Sequence, residues 1–176
     1  MIVLSFSNVR ESCSLDQLLK SHALSVAAVA EFSEDRQTIT VRRRHIWIDT
    51  KRALRRPSFD PHIGLNIDFI GEEAQDEGGP LREFFRLLWN AISADNGLFT
   101  GTQAARSLAH NMLALANSDY SIVGKMISLA LVYGGSGPHF LSKSVASYLL
   151  DEEVTNEDGL LDIPDFDVQD TIRKVR

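Results

Sequence analysis

Glu72, Glu73, Asp76 and Glu77 put four carboxylates into six residues, between an alternating apolar run and the pair Gly78-Gly79. Carboxylates so arranged could hold a divalent cation or divide acid and base roles between them. They could not cradle a phosphate, although strand, glycine-containing loop and helix in succession superficially suggest it. Negative charge at a helix N-terminus repels an anion, and no lysine stands where a P-loop requires one. Acidic residues just ahead of a helix also have a structural use, since they interact favourably with its dipole. That use is the expectation here.

The remaining reactive side chains are dispersed. His22, His45, His62, His110 and His139 have no second His or Cys at knuckle or helical spacing, so no zinc site is expected. Cys13 is the only cysteine, which excludes an intramolecular disulfide and agrees with a reducing compartment. Ser14 and Gln17 beside it have capping-box spacing and predict a short helix through Leu15, Leu18 and Leu19. A helix N-terminus lowers a thiol's pKa, but no histidine or acid can be assigned to Cys13 as a partner. Arg42, Arg43, Arg44, Lys51, Arg52, Arg55 and Arg56, with Trp47 among them, form the one local feature pointing toward nucleic acid. Basic residues on a helix that buries Ile46, Ile48 or Leu54 are more simply its solvated face, free to pair with the acidic excess. Gly134-Gly-Ser-Gly-Pro138 reads as a helix stop and turn.

The elements that must position these residues follow from periodicity. A chain of 176 residues with 44% hydrophobic content can bury one core and needs no second domain. Its net charge of −6 argues against general affinity for nucleic acid or an anionic membrane. No apolar run reaches the roughly 18 residues of a membrane span, and Met1-Ile-Val-Leu-Ser-Phe6 lacks the basic start of a leader. A soluble intracellular protein, in cytoplasm or nucleus, with protein partners is expected.

Residues 1–37 form a mixed lead-in, and residues 38–176 the domain proper. Thr38–Val41 predicts a brief strand, and Arg42–Arg56 a basic helical segment ended by Pro57. Leu65-Asn-Ile-Asp-Phe-Ile70 alternates as a half-buried strand. From Pro80 a helix is expected, with Leu81, Phe84, Phe85, Leu88 and Ile92 as its buried stripe and Asn96-Gly97 as its end. The stretch from Leu98 to Asn117 is compatible with helix or strand. Ser118 and Asp119 predict the cap of an almost wholly apolar helix through Ile122, Val123, Met126, Ile127, Ala130 and Leu131. Ser142 or Ser144 predicts the start of another helix, an acidic loop is expected from Asp151 to Asp162, and Asp165 or Asp167 predicts the cap of a last helix through Ile172 and Val175. The expected class is α+β, mainly helical, with a few short strands.

The run from Leu65 through Gly71-Glu72-Glu-Ala-Gln-Asp76-Glu-Gly78-Gly79-Pro-Leu-Arg82-Glu83-Phe84-Phe85 to Leu88 resembles the signature strand, acidic loop and helix near the start of HECT-type ubiquitin ligase domains. Other landmarks keep the family's order. Val41-Arg-Arg-Arg44 precedes it, Gly97-Leu-Phe99 follows, and Val123-Gly-Lys-Met-Ile-Ser-Leu-Ala-Leu-Val132 resembles the central glycine-containing helix. Phe140–Leu150 and Leu161–Phe166 continue the likeness, which covers residues 38–176 and lies nearest the branch whose longer members carry PHD-like zinc fingers.

The resemblance implies part of the large N-lobe, ending before the region that grips a ubiquitin-loaded conjugating enzyme and before the C-lobe that carries the thioester-forming cysteine. Cys13 precedes the matching region and does not correspond to that nucleophile. The implied function is therefore that of a portion of a ubiquitin transferase, with a non-catalytic HECT-like binding module or regulator as the alternative. No catalytic residue, metal or cofactor is assigned. Ubiquitin-pathway proteins are the implied partners, with a conjugating enzyme only where the rest of the domain is present. Within the resemblance Gly71, Gly78 and Gly79 shape the loop, Asp76 caps or bridges, Glu72 belongs to the acidic loop, Arg82 and Glu83 pair locally, and Phe84, Phe85, Leu88 and Trp89 pack.

Overall fold

Two short runs of alternating apolar and polar residues lie side by side near the start of the described part of the computed structural model, which describes residues 21, 36–72, 79–94, 97–133, 135–163 and 165–175. Cys13, the Ser14–Gln17 capping box, Asp76 and Gly78 lie outside the described residues. Strand β1 (Arg36–Val41) pairs in parallel with β2 (Gly64–Phe69), placing Ile39 opposite Ile67 and Val41 opposite Phe69. Parallel strands need a long crossover. It is made by a 3-10 turn (Arg43–His45), helix α1 (Ile46–Leu54) and a loop. Helix α1 buries Ile46, Asp49, Thr50, Ala53 and Leu54, the three- and four-residue rhythm of one helical face. The loop is tied to β1 by Gln37, whose amide nitrogen donates to the Asp60 carbonyl and whose amide oxygen accepts from Asp60 N at 3.2 Å.

Helix α2 (Gly79–Ser93) lays Phe84, Phe85, Leu88, Trp89 and Ile92 into the core. Phe85 meets Phe84 edge-on at 5.4 Å and lies nearly parallel to Trp89 at 6.4 Å. Such geometry suits the quadrupoles of aromatic rings. The stretch left open in the sequence becomes an antiparallel hairpin, β3 (Phe99–Thr102) with β4 (Ala105–Leu108), followed by the short helix α3 (Met112–Ala116). Gly101 is required there: its φ is +105°, and a Cβ would stand 2.6 Å from the Ala105 carbonyl oxygen.

Helix α4 (Asp119–Val132) buries Ile122, Val123, Met126, Leu129 and Ala130 but leaves Leu131 half exposed, so its apolar surface is not covered all round. Its predicted cap is corrected. Ser118 has φ +57° and makes no side-chain cap bond, because the left-handed backbone carries its hydroxyl away from the first turn, and the Asp119 carboxylate turns to α1 instead. Gly135 N donates to the Ala130 carbonyl past the end of this helix, and a side chain at 135 would collide with the Phe85 ring.

Ser142 caps α5 (Lys143–Leu149), accepting from Val145 N at 3.4 Å. The expected acidic loop contains a helix, α6 (Asn156–Leu161), because Thr155 accepts from Asp158 N at 3.1 Å and starts a turn. Asp165 caps α7 (Phe166–Val175), accepting from Asp167 N at 2.9 Å and Val168 N at 3.3 Å. Ile172 and Val175 face solvent rather than core, and Gln169 is the buried residue of α7. The class is the expected mainly helical α+β.

Candidate functional site

Glu72 and Glu83, two of the described acids of the signature region, converge on one cation. Arg43, presented by the 3-10 turn, donates Nε and Nη2 to Glu72 at 2.5 and 2.9 Å, and Nη1 to Glu83 at 2.8 Å. Its guanidinium also stands 4.5 Å from the centre of the Phe69 ring at the end of β2. Arg86, one turn along α2, donates Nε and Nη2 to Glu83, each at 2.8 Å. The first turn, β2 and α2 are thereby joined at the point where the acidic loop leaves and returns.

The electrostatics keep both carboxyls ionised near neutral pH. Arg86 and Arg43 hold the Glu83 carboxyl down at about 2, and Arg43 lowers Glu72. Two ionised carboxylates held by guanidinium donors have no proton to give there. Among the described residues no three His, Cys, Asp or Glu side chains gather as metal ligands. The arrangement is a clamp.

Expected partners within this motif change on inspection. Arg82 does not pair with Glu83: adjacent helical residues point about 100° apart, and Glu83 turns to Arg43 and Arg86 while Arg82 stays exposed. Phe84, Phe85, Leu88 and Trp89 pack as expected, and Trp89 Nε1 donates to the Ser136 carbonyl. Gly71 has φ +85°, the left-handed backbone a β-carbon disfavours. Gly79 has no positive φ, and open space surrounds its missing side chain, so the demand for glycine falls on 71.

Two further clusters hold the elements behind the clamp. Asp49, almost buried, accepts from Arg42 N, Nε and Nη2 at 2.9, 2.9 and 2.7 Å, and Arg42 holds its carboxyl at about 2. Asp119 at the head of α4 accepts from Lys51 Nζ at 3.0 Å and Arg55 Nη2 at 2.7 Å, and Arg55 also donates to the Asn117 carbonyl. Much of the basic stretch is thus spent on internal pairing, as the solvated-face reading allows.

Sequence reasoning missed a hydroxyl cluster. Ser107 of β4 and Ser142 lie 3.0 Å apart, Ser142 and Ser144 lie 3.1 Å apart, and both Ser142 and Ser144 donate to Asp162 Oδ2. No imidazole or amine stands against these hydroxyls among the described residues, so they lack the base a nucleophilic serine needs. They lock β4, α5 and the end of α6 together. The Ser142 capping signal was visible; its partners, 20 to 35 residues away, were not. A shallow cleft of about 270 Å³ beside Trp89, Asn90, Gln103 and His139 brings together no reactive pair. Among the described residues no helix is long and apolar enough to cross a membrane.

Comparison with known proteins gives this geometry its context. No family model matches the chain. It is 28% identical over 138 residues to the G2/M phase-specific E3 ubiquitin-protein ligase of Homo sapiens, covering 77% of this chain and 19% of that protein. The Gallus gallus protein of the same name is 28% identical over 142 residues, covering 78% and 19%. The E3 ubiquitin-protein ligase TOM1-like of Neurospora crassa is 32% identical over 136 residues, covering 73% of this chain and 3% of that protein. The chain thus spans about a fifth of the length of the first two relatives.

Proposed function

The chain belongs to the HECT-type ubiquitin-protein ligase family, and we propose that it acts as the opening part of the large lobe of such a ligase, without the thioester-forming cysteine. The carrying observation is the open apolar surface of the last three helices. Tyr148 of α5, Phe166 and Val175 of α7 are 77%, 79% and 84% exposed, and Leu149, Leu150 and Leu161 are exposed beside them in sequence. Apolar surface of this extent marks a face made to be covered. In a complete lobe, following chain would cover it and would bring the conjugating-enzyme site and the nucleophile.

In this reading the clamp at Arg43 and the aromatic core of α2 are scaffold, and the 176-residue chain alone transfers no ubiquitin. Thioester relay needs a thiolate that both attacks and leaves, and Cys13, the one thiol, lies ahead of the matching region. The partners are ubiquitin-pathway proteins, the setting is the cytoplasm or nucleus, and the likeness to the branch with PHD-like fingers belongs to the same proposal.

The test is to incubate the chain with activating enzyme, a panel of conjugating enzymes and ubiquitin, and to look for a thiol-sensitive adduct. None is expected. A ubiquitin thioester on Cys13 would overturn the reading. Immunoblotting endogenous protein with an antibody against residues 1–37 separates the remaining case. A species far larger than 19.6 kDa supports the ligase segment, whereas one of that mass alone supports a non-catalytic HECT-like binding module.

A further inference from the structure

Helix α1 gives one face to the core and turns Ile48 and Arg52 to solvent, with Arg55 and Arg56 exposed just past its end and Arg44 exposed in the turn before it. Seven of the chain's 18 lysines and arginines fall between 42 and 56, where Asp49 is the only acid. Arg42, Arg43, Lys51 and Arg55 are neutralised by Asp49, by Glu72 and Glu83, and by Asp119. Arg44, Arg52 and Arg56 make no ion pair within 4 Å among the described residues, although the charge of Arg52 still acts on Asp49. Arg52 and Arg56 line an open depression of about 400 Å³ together with Ile48, Lys51 and Arg55. Ile48 is 51% exposed there, an apolar side chain ringed by cations in a protein of net charge −6.

We propose that this face docks an acidic protein segment carrying one apolar side chain. The apolar group sits in the depression against Ile48 and the alkyl stems of Arg52 and Arg55. Its flanking carboxylates take the exposed guanidinium groups of Arg52 and Arg56, for which Arg has the matching fork geometry. Charge complementarity selects an acidic partner, and Ile48 at the centre selects one with an apolar anchor. A nucleic acid fits less well. Trp47 is half-buried and Lys51 Nζ stands 5.1 Å over its ring, so the stacking platform that single strands use is already taken. The proposal does not rest on the ligase reading.

The experiment is fluorescence anisotropy of a short labelled peptide, glutamates and aspartates around a central leucine, titrated with the full 176-residue chain at about 0.15 M salt, where the Debye length is about 8 Å. Saturable binding is expected, weakened about tenfold or more by the pair Arg52→Glu and Arg56→Glu. Replacing the peptide's leucine with serine should weaken binding about fivefold. The control pair Arg173→Glu and Lys174→Glu changes net charge equally and should leave affinity within about twofold, because screening confines surface charge effects. Both variant pairs are solvent-exposed, and unchanged circular dichroism establishes their folding. No saturable binding up to about 1 mM would overturn the proposal, as would equal affinity for the leucine and serine peptides or an equal loss in the control pair. Displacement of the peptide at lower concentration by an oligonucleotide of equal length would replace it with a nucleic-acid surface.

Discussion

The half of the molecule built from β1, α1, β2 and α2 hides nearly every large apolar side chain, and the segment from α5 to α7 hides almost none. Phe84, Phe85, Leu88 and Ile92 are all 0% exposed, whereas the long apolar side chains of α7 stand in the open. The difference lies in what holds each part. In the first, side chains interdigitate and the charged turns are closed by Arg42 and Arg43. In the second, order comes from local polar devices: the caps at Ser142, Thr155 and Asp165, and Gln169 Nε2 donating to the Ile163 carbonyl at 2.6 Å. A cap contributes on the order of 1 kcal/mol, and helices shorter than about 12 residues are marginal without packing. The first part is held by packing, and the second mainly by caps and polar contacts with its apolar side chains in the open.

The largest test of that contrast is Phe85→Ala. The ring is fully buried between Phe84 and Trp89, with the Gly135 backbone against it. Urea denaturation should show a loss of about 3–5 kcal/mol. A loss below about 1 kcal/mol, the range of surface changes, would mean that the two regions are packed alike.

Asp49→Ala should rank second. It removes three hydrogen bonds at the β1–α1 turn, and with Arg42 half exposed and able to find water, the cost should be about 2 kcal/mol. The same residue predicts a pH dependence. Asp49 and Glu83 are held at about 2 in the folded protein, below their ordinary carboxyl values. Their contribution is therefore fully present above the unfolded values and lost as pH falls through the acid range toward 2. Acid titration of stability should fall less steeply in Asp49→Ala than in the parent, and parallel curves would remove Asp49 from the account.

Ser142→Ala comes third, in the weaker half. It deletes the α5 cap and the link to Ser107 and Asp162, and should cost about 1–2 kcal/mol by thermal melting. Loss of amide protection in α5 and α6 with β1 and β2 unaffected would show that this region opens separately. Uniform loss throughout would show one cooperative unit.

What could be read in advance divides along the same line. Strand β2 and helix α2 were legible because their apolar residues repeat at two and at three to four positions over enough length to exclude alternatives. The hairpin was not, since β3 and β4 are four residues each and β3 depends on the positive φ of Gly101. Helix α6 escaped because six residues, one of them Gly159, lie in an acidic stretch and depend on one Thr155 cap. Ser118 looked like a cap by residue type but adopts a backbone that cannot cap. At the clamp, the acids and Val41-Arg-Arg-Arg44 were both visible as motifs. Their pairing was not, because Arg43 and Glu83 are separated by 40 residues and meet only after β1 and β2 have aligned.

The smallest effect should come from α7, and it sharpens the contrast most. Val168 and Ile172 lie one turn apart on the same side of the helix, 44% and 40% exposed. Replacing both with serine in the 176-residue chain should change stability by less than about 0.5 kcal/mol, as for surface positions. The same substitutions in a longer protein in which following chain covers α7 should cost several times more, because the methyl groups removed would then be buried ones. An equal, small effect in both settings would leave α7 an exposed helix by design and would detach the apolar C-terminal face from the ligase reading. A large effect already in the short chain, growing with protein concentration, would mean that two copies cover each other's helices.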